Sequence, residues 1–182
     1  MEQARDFFAE CEAVDDLLSG LSEADYARET QFKNWTINQI LQHLFFFDRL
    51  AGWSVTDPER FDGAYGALND LRERGMSLPQ ATDHALEGLE GIALRRAWKQ
   101  GATALAALFA QTDPKARVKW VGPGMSARSS ITARLMETWS HAQAIYDLLG
   151  VRRTHGDRVA NIARLGVNTF GWTFANRGEP VP

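Results

Sequence analysis

Apolar residues recur at three- and four-residue intervals along most of this chain, the period of an α-helix with one buried face. Phe7, Phe8, Cys11, Val14, Leu17, Leu18 and Leu21 form the first stripe, with Gly20 near its end. Residues 23–31 are polar and read as a linker or turn. Thr36 followed by Gln39 is a capping-box signature, continued by Ile37, Ile40, Leu41, Leu44, Phe45 and Leu50. This second helix is predicted to run to about Ala51 and to break at Gly52. Asp57-Pro58 opens a helix over residues 58–74, halted by Gly75, and Leu78-Pro79 begins another segment. A long helix is predicted over residues 81–111, with Gly88, Gly91 and Gly101 weakening its continuity. Residues 115–125 read as a loop punctuated by Gly122-Pro123-Gly124. Ser126 or Ser129 caps the next helix, which carries Ile131, Leu135, Ala142, Ile145 and Leu149 and ends at Gly150. A last segment runs from Asp157 to about Phe174.

No stretch alternates apolar and polar residues with a β-branched bias, so the pattern predicts an all-α bundle with one long crossover. The expected organisation is one helical bundle over residues 1–176 and a tail over 177–182. Composition agrees: 182 residues, 45% hydrophobic, with ten Phe and six Trp, suffice for a real core. The longest apolar run, Ala104 to Ala110, is far short of a membrane span. The acidic start MEQARDFFAECEAVDD reads as neither a signal peptide nor a presequence, so a cytoplasmic location is expected. A net charge of -3 argues against nucleic acid as a partner. The many aromatics permit a homodimer without requiring one. The single cysteine, Cys11, lies on an apolar stripe and excludes both a disulfide framework and a multi-cysteine metal site.

Four histidines limit any imidazole chemistry to His43, His84, His141 and His155. Glu137 and His141 stand four apart in LMETWSHAQAI and share one face of a helix with Ala133, Ala144 and Leu148. His43 shares an apolar face with Ile40, Phe47 and Leu50. Two imidazoles and a carboxylate are a sensible donor set for zinc, nickel, iron or manganese, with a coordination position left open. On spacing alone the plainer readings carry more weight: a satisfied core histidine at 43 and a hydrogen-bonded Glu–His pair at 137 and 141.

Three segments go further. WTINQILQHLFFFD resembles the second-helix metal motif of DinB-like proteins. GPGMSARSSITARLMETWSHAQAIYDLLG and DRVANIARLGVNTFGWTFANRGEP are similar to the actinobacterial branch related to mycothiol-dependent maleylpyruvate isomerase. The resemblance implies a DinB-like four-helix bundle with extra short helices, holding one divalent metal, zinc foremost. Carried over by motif, the ligands fall on His43, Glu137 and His141. Two departures stand out. Relatives often continue into a C-terminal domain, whereas this sequence stops at Pro182, and Phe32-Lys33-Asn34-Trp35 stands where they commonly have Pro-Gly-Trp.

Around that expected centre, Asp48 matches the motif's aspartate and is a candidate to orient an imidazole or a basic group. Arg134, three residues before Glu137, is a candidate to hold a substrate carboxylate, with a salt bridge as the plainer alternative. His84 is a candidate acid or base, and Lys119 and Trp120 are candidates for a pocket lid that binds a cofactor. Trp35 is expected to pack the helix start, and Trp139 a bundle seam. The leading functional expectation is a metal-dependent enzyme using Lewis acidity on a small carbonyl or carboxylate substrate, for isomerisation, hydration or cyclisation in specialised metabolism. The alternatives are a thiol-dependent isomerase or transferase drawing on an external low-molecular-weight thiol, and a non-catalytic metal-binding protein.

Overall fold

In the computed structural model, which describes residues 1–182, seven α-helices follow one another: α1 (Glu2–Leu18), α2 (Ile37–Thr56), α3 (Pro58–Glu73), α4 (Leu78–Ala85), α5 (Gly91–Gln111), α6 (Ala127–Leu149) and α7 (Val159–Arg177). A single 3-10 turn, Glu23–Ala27, bridges α1 and α2. The four long helices α1, α2, α5 and α6 pack as a bundle: α1 lies against α5 and α6, and α2 against the same two. The long crossover from α2 to α5 carries the short helices α3 and α4, and α7 packs on α6. This is the expected all-α, DinB-like four-helix bundle.

The core is built from the predicted stripes. Phe7 and Leu18 of α1, Ile40, Leu41 and Leu44 of α2, Trp98 and Phe109 of α5, and Ile131, Leu135 and Ile145 of α6 are buried in one cluster. A smaller cluster of Phe46, Leu50, Phe61, Leu68, Ala81 and Leu86 ties α3 and α4 to the back of α2. Local chemistry sets the starts of the helices. Thr36 Oγ1 accepts from the Gln39 amide while the Gln39 side chain accepts from the Thr36 amide, so α2 begins where the sequence says. Ser126 caps α6 by accepting from the Ser129 amide, without the reciprocal bond, and Gly150 closes the helix in the left-handed conformation.

Three expectations need correction. Gly52 does not end α2, which continues to Thr56 because the helix packs against Leu105 there. The long helix over residues 81–111 is two helices: Gly88, between them, and Gly91, at the first position of α5, take left-handed φ of +70° and +65°, so the chain turns between α4 and α5. The loop over 115–125 holds a two-residue antiparallel ribbon, β1 (Arg117–Val118) paired with β2 (Met125–Ser126). Gly101, by contrast, sits inside α5 for steric reasons, since a Cβ there would lie 2.9 Å from the Phe45 ring of α2. No helix is long and apolar enough to cross a membrane.

Candidate metal centre

The packing of α2 on α6 brings His43 together with Glu137, 94 residues further along the chain, and with His141 one helical turn beyond it. His43 projects from the middle of α2; Glu137 and His141 project from successive turns of α6. His43 Nε2 lies 3.3 Å from Glu137 Oε2, and His141 Nε2 lies 3.2 Å from the same oxygen. One donor atom from each residue falls within a 4.8 Å circle. In a tetrahedral site with metal–ligand bonds of about 2.0–2.1 Å, neighbouring donors stand about 3.3 Å apart. The two separations from Glu137 match that spacing and the whole set lies within 4.8 Å, so these three donors can hold a divalent cation of the zinc type.

Protonation states agree with ligation. Burial pushes the His43 imidazole down to about 4, against the opposing hydrogen bond to Glu137, so its lone pair is free near neutral pH. Burial alone would raise the Glu137 carboxyl. Contacts with His141 and His43, together with the charge of Arg134, outweigh it and hold the group well below the usual carboxylate range. A neutral imidazole and an ionised carboxylate are the forms a metal requires. Glu137 is the accessible member, 28% exposed at its side chain, against 9% for His43 and 13% for His141.

Ligating histidines ordinarily anchor their second ring nitrogen on an acceptor. Here Nδ1 of both His43 and His141 is buried without a protein partner. Aromatic rings hold the imidazoles instead. Trp35 stacks on His141 with planes 4° apart and centroids at 5.9 Å, and Phe32 meets the same ring edge-on at 4.9 Å. Phe47 lies 4.8 Å from the His43 ring. Phe32 and Trp35 reach the site from a tight turn in which Lys33 and Asn34 take φ of +53° and +57° and the Trp35 amide donates to Phe32 O. Thr30 pins the turn by donating its hydroxyl to Trp35 O at 2.8 Å.

The model of the mycothiol maleylpyruvate isomerase N-terminal domain family matches residues 7–146. The chain belongs to this family. It is 34% identical over 169 residues to two uncharacterized proteins of Mycobacterium tuberculosis, covering 93% of this chain and 65% of each relative, so it spans about two-thirds of their length or slightly less. The fold is also that of the crystal structures of mycothiol-dependent maleylpyruvate isomerase and of a histidine-to-alanine mutant of it. Each matches with a TM-score of 0.65 at 17% identity, over 98% of this chain and 72% of theirs.

In this member of the family, the other candidate residues lie outside the group of three donors, and of the two readings open for Asp48 and for Arg134 the basic-group partner and the salt bridge are the ones present. Asp48 does not reach an imidazole. It is 2% exposed, accepts from Arg134 Nε at 2.8 Å through Oδ1 and from Trp98 Nε1 at 3.2 Å through Oδ2. Arg134 is 1% exposed, and its remaining reach goes to Leu44 O at 3.2 Å. The plainer reading of Arg134 therefore describes its contacts: it is a salt-bridge partner behind the centre, and its guanidinium is not presented to an incoming carboxylate. Desolvation raises the Asp48 carboxyl, with Arg134 opposing.

His84 is exposed on α4 and lines clefts formed with α3 and the α4–α5 turn, away from the two ligand histidines. Lys119 is ion-paired with Asp62. Trp120 lines a cavity between the 120–125 loop, α6 and α7. Trp139 packs against Arg153 and His155 rather than the centre. Cys11 is fully buried, and burial together with nearby Asp48 pushes its thiol up, so it stays protonated and inert.

Phe32, Trp35 and Phe47 are the contributors that sequence reasoning missed in this role. A signal was present in the run Phe32-Lys33-Asn34-Trp35: an Asn-containing tight turn flanked by two aromatics, immediately before a capping box.

Proposed function

We propose that this chain is the metal-binding unit of an isomerase or transferase that uses an external low-molecular-weight thiol of the mycothiol type on a small organic substrate. In this reading residues 1–176 are the working bundle and 177–182 a tail. His43, Glu137 and His141 hold one divalent cation, zinc being the first expectation and nickel, iron or manganese the other fits. A bound cation of this kind supplies an open coordination position at which a thiol ionises near neutral pH.

The protein's own groups do the rest. Phe32, Trp35 and Phe47 keep water from the imidazoles and fix their orientation. Glu137, the exposed ligand, marks the side from which thiol and substrate approach. Arg134, held by Asp48 behind the centre, adds a fixed positive field that favours negative charge at the site. A thiol held there would supply a nucleophile for addition to and elimination from an activated double bond, or for displacement of a leaving group.

The observation that carries this reading is the convergence of the three donors within 4.8 Å in a chain of this family. The buried state of Cys11 supports it, because the nucleophilic sulfur must then come from outside. It is preferred to Lewis-acid chemistry on a carbonyl because the family match is to a thiol-dependent isomerase and Arg134 is not offered to a carboxylate. The test is to load the protein with Co²⁺ and add mycothiol or a simpler thiol. A thiolate-to-metal charge-transfer band is expected, together with thiol-dependent turnover of a cis-enone acid or of an electrophile. His43→Ala and Glu137→Ala should lose both metal and band. Full metal retention by both variants, or a spectrum indifferent to thiol, refutes the proposal.

A further inference from the structure

A cavity of about 640 Å³ lies between the 120–125 loop, α6 and α7. Trp120, Pro123 and Met125 form one wall, Met136 a second, and Ile162 and Leu165 a third. It comes within one helical turn of the metal centre through Ala133, which lines it and precedes Glu137 by four residues on the same face of α6; the three donor residues themselves do not line it. The volume is that of a small-molecule site.

No lining residue carries a charge. The one hydroxyl, of Thr169, donates to Leu165 O of its own helix at 2.9 Å. The indoles of Trp120 and Trp172 are the other polar side-chain groups, and an indole only donates. Of the nearby cations, Arg134 and Lys119 are paired with the carboxylates of Asp48 and Asp62, and Arg117 lies outside the lining on the backbone carbonyl of Gly124. A carboxylate placed against these walls would meet apolar surface and no lining cation.

We infer that the substrate brought to the metal centre carries an uncharged apolar group that lies in this cavity, making it a neutral hydrophobic electrophile and not a small dicarboxylate. The substrate's reactivity rests on the thiol reading above; the cavity's preference does not. Two donating indoles suit an uncharged carbonyl on that group, and the apolar walls suit an aryl or alkyl body.

The full chain, metal-loaded, is titrated with the neutral fluorophore N-phenyl-1-naphthylamine. Saturable binding with blue-shifted emission is expected. Gly166→Phe should weaken it at least about tenfold, because a Cβ at Gly166 meets nothing within 4 Å and the ring can enter the void from α7 without a backbone clash. Thr169→Phe, from the same wall, serves if the first variant melts early by circular dichroism. A naphthoate of similar size should compete at least tenfold more weakly than a neutral naphthyl ketone. Equal binding to native protein and both variants, equal competition by the naphthoate, or loss of the probe as chain concentration rises (a second copy filling the cavity) would each overturn the inference. In a second arm, two enones differing only in a phenyl or a carboxylate tail are offered with thiol. Preference for the phenyl enone, lost in Gly166→Phe, supports the inference, and preference for the carboxylate overturns it. Probe binding as expected with neither enone consumed overturns the thiol reading while supporting the cavity's selectivity.

Discussion

The ion pair behind the metal centre is the most exacting test of how this bundle is held together. Asp48 and Arg134 are 2% and 1% exposed, so neither charge has water to fall back on. Asp48→Leu removes the anion, leaves the guanidinium with only Leu44 O, and strips the Trp98 N–H of its acceptor. Breaking a buried pair from one side costs about 3–5 kcal/mol. At about 2–4 °C per kcal/mol for a chain of this size, the melting temperature should fall by roughly 6–20 °C. Arg134→Met strands the carboxylate instead, and a carboxylate has an escape that a guanidinium lacks: it can take up a proton. Its folded-state pKa is already raised by burial and rises further once Arg134 is gone. The deficit of Arg134→Met should therefore shrink as pH falls from about 7 towards 5, whereas that of Asp48→Leu should not. The double variant should recover most of the loss, since an apolar pair of similar volume is often neutral. Urea denaturation of the metal-free protein, followed by circular dichroism, measures all three. A single-variant cost under about 1 kcal/mol, or a double variant as unstable as the two deficits summed, would refute this account.

The folded chain keeps His43 neutral down to about pH 4, whereas the unfolded chain protonates it near 6.5, so the unfolded state binds more protons between those values. Stability of the metal-free protein should fall by roughly 3 kcal/mol as pH is lowered through that window; a His43→Gln variant with the same profile as native protein would contradict this. Phe47→Ala should weaken metal affinity by about ten- to a hundredfold, the range for groups that orient ligands, as read by competition with a chelator of known affinity. Unchanged affinity would remove the aromatic rings from the role given to them. Thr36→Ala should cost about 1 kcal/mol by removing the α2 cap, a deficit that urea denaturation would detect.

Much of the helical framework was legible because its determinants are local. The apolar period, the Thr36 and Ser126 caps and the Gly150 terminus act within a turn or two of themselves, and each element they predicted exists. The same holds for the pairing of Glu137 with His141, which helical spacing imposes on any helix that contains them. Where local signals competed, the sequence misled. Gly52 looked like a break, yet packing against Leu105 carries α2 through it, and only backbone dihedrals show that Gly88 and Gly91 divide a helix while Gly101 does not.

Partners distant in sequence were decided by tertiary structure alone. Spacing could not say that the face of α2 bearing His43 meets the face of α6 bearing Glu137, and only the motif resemblance joined them. Nothing in the sequence couples Asp48 to Arg134, 86 residues away, and that coupling turned two candidate site residues into a buried ion pair. The aromatic enclosure of the imidazoles and the uncharged cavity beside them depend on a tight turn and on the docking of α7 against α6. Hydrogen bonds and caps are written into a few neighbouring residues, whereas burial and charge pairing depend on which surfaces meet, and that is settled only when the whole bundle packs.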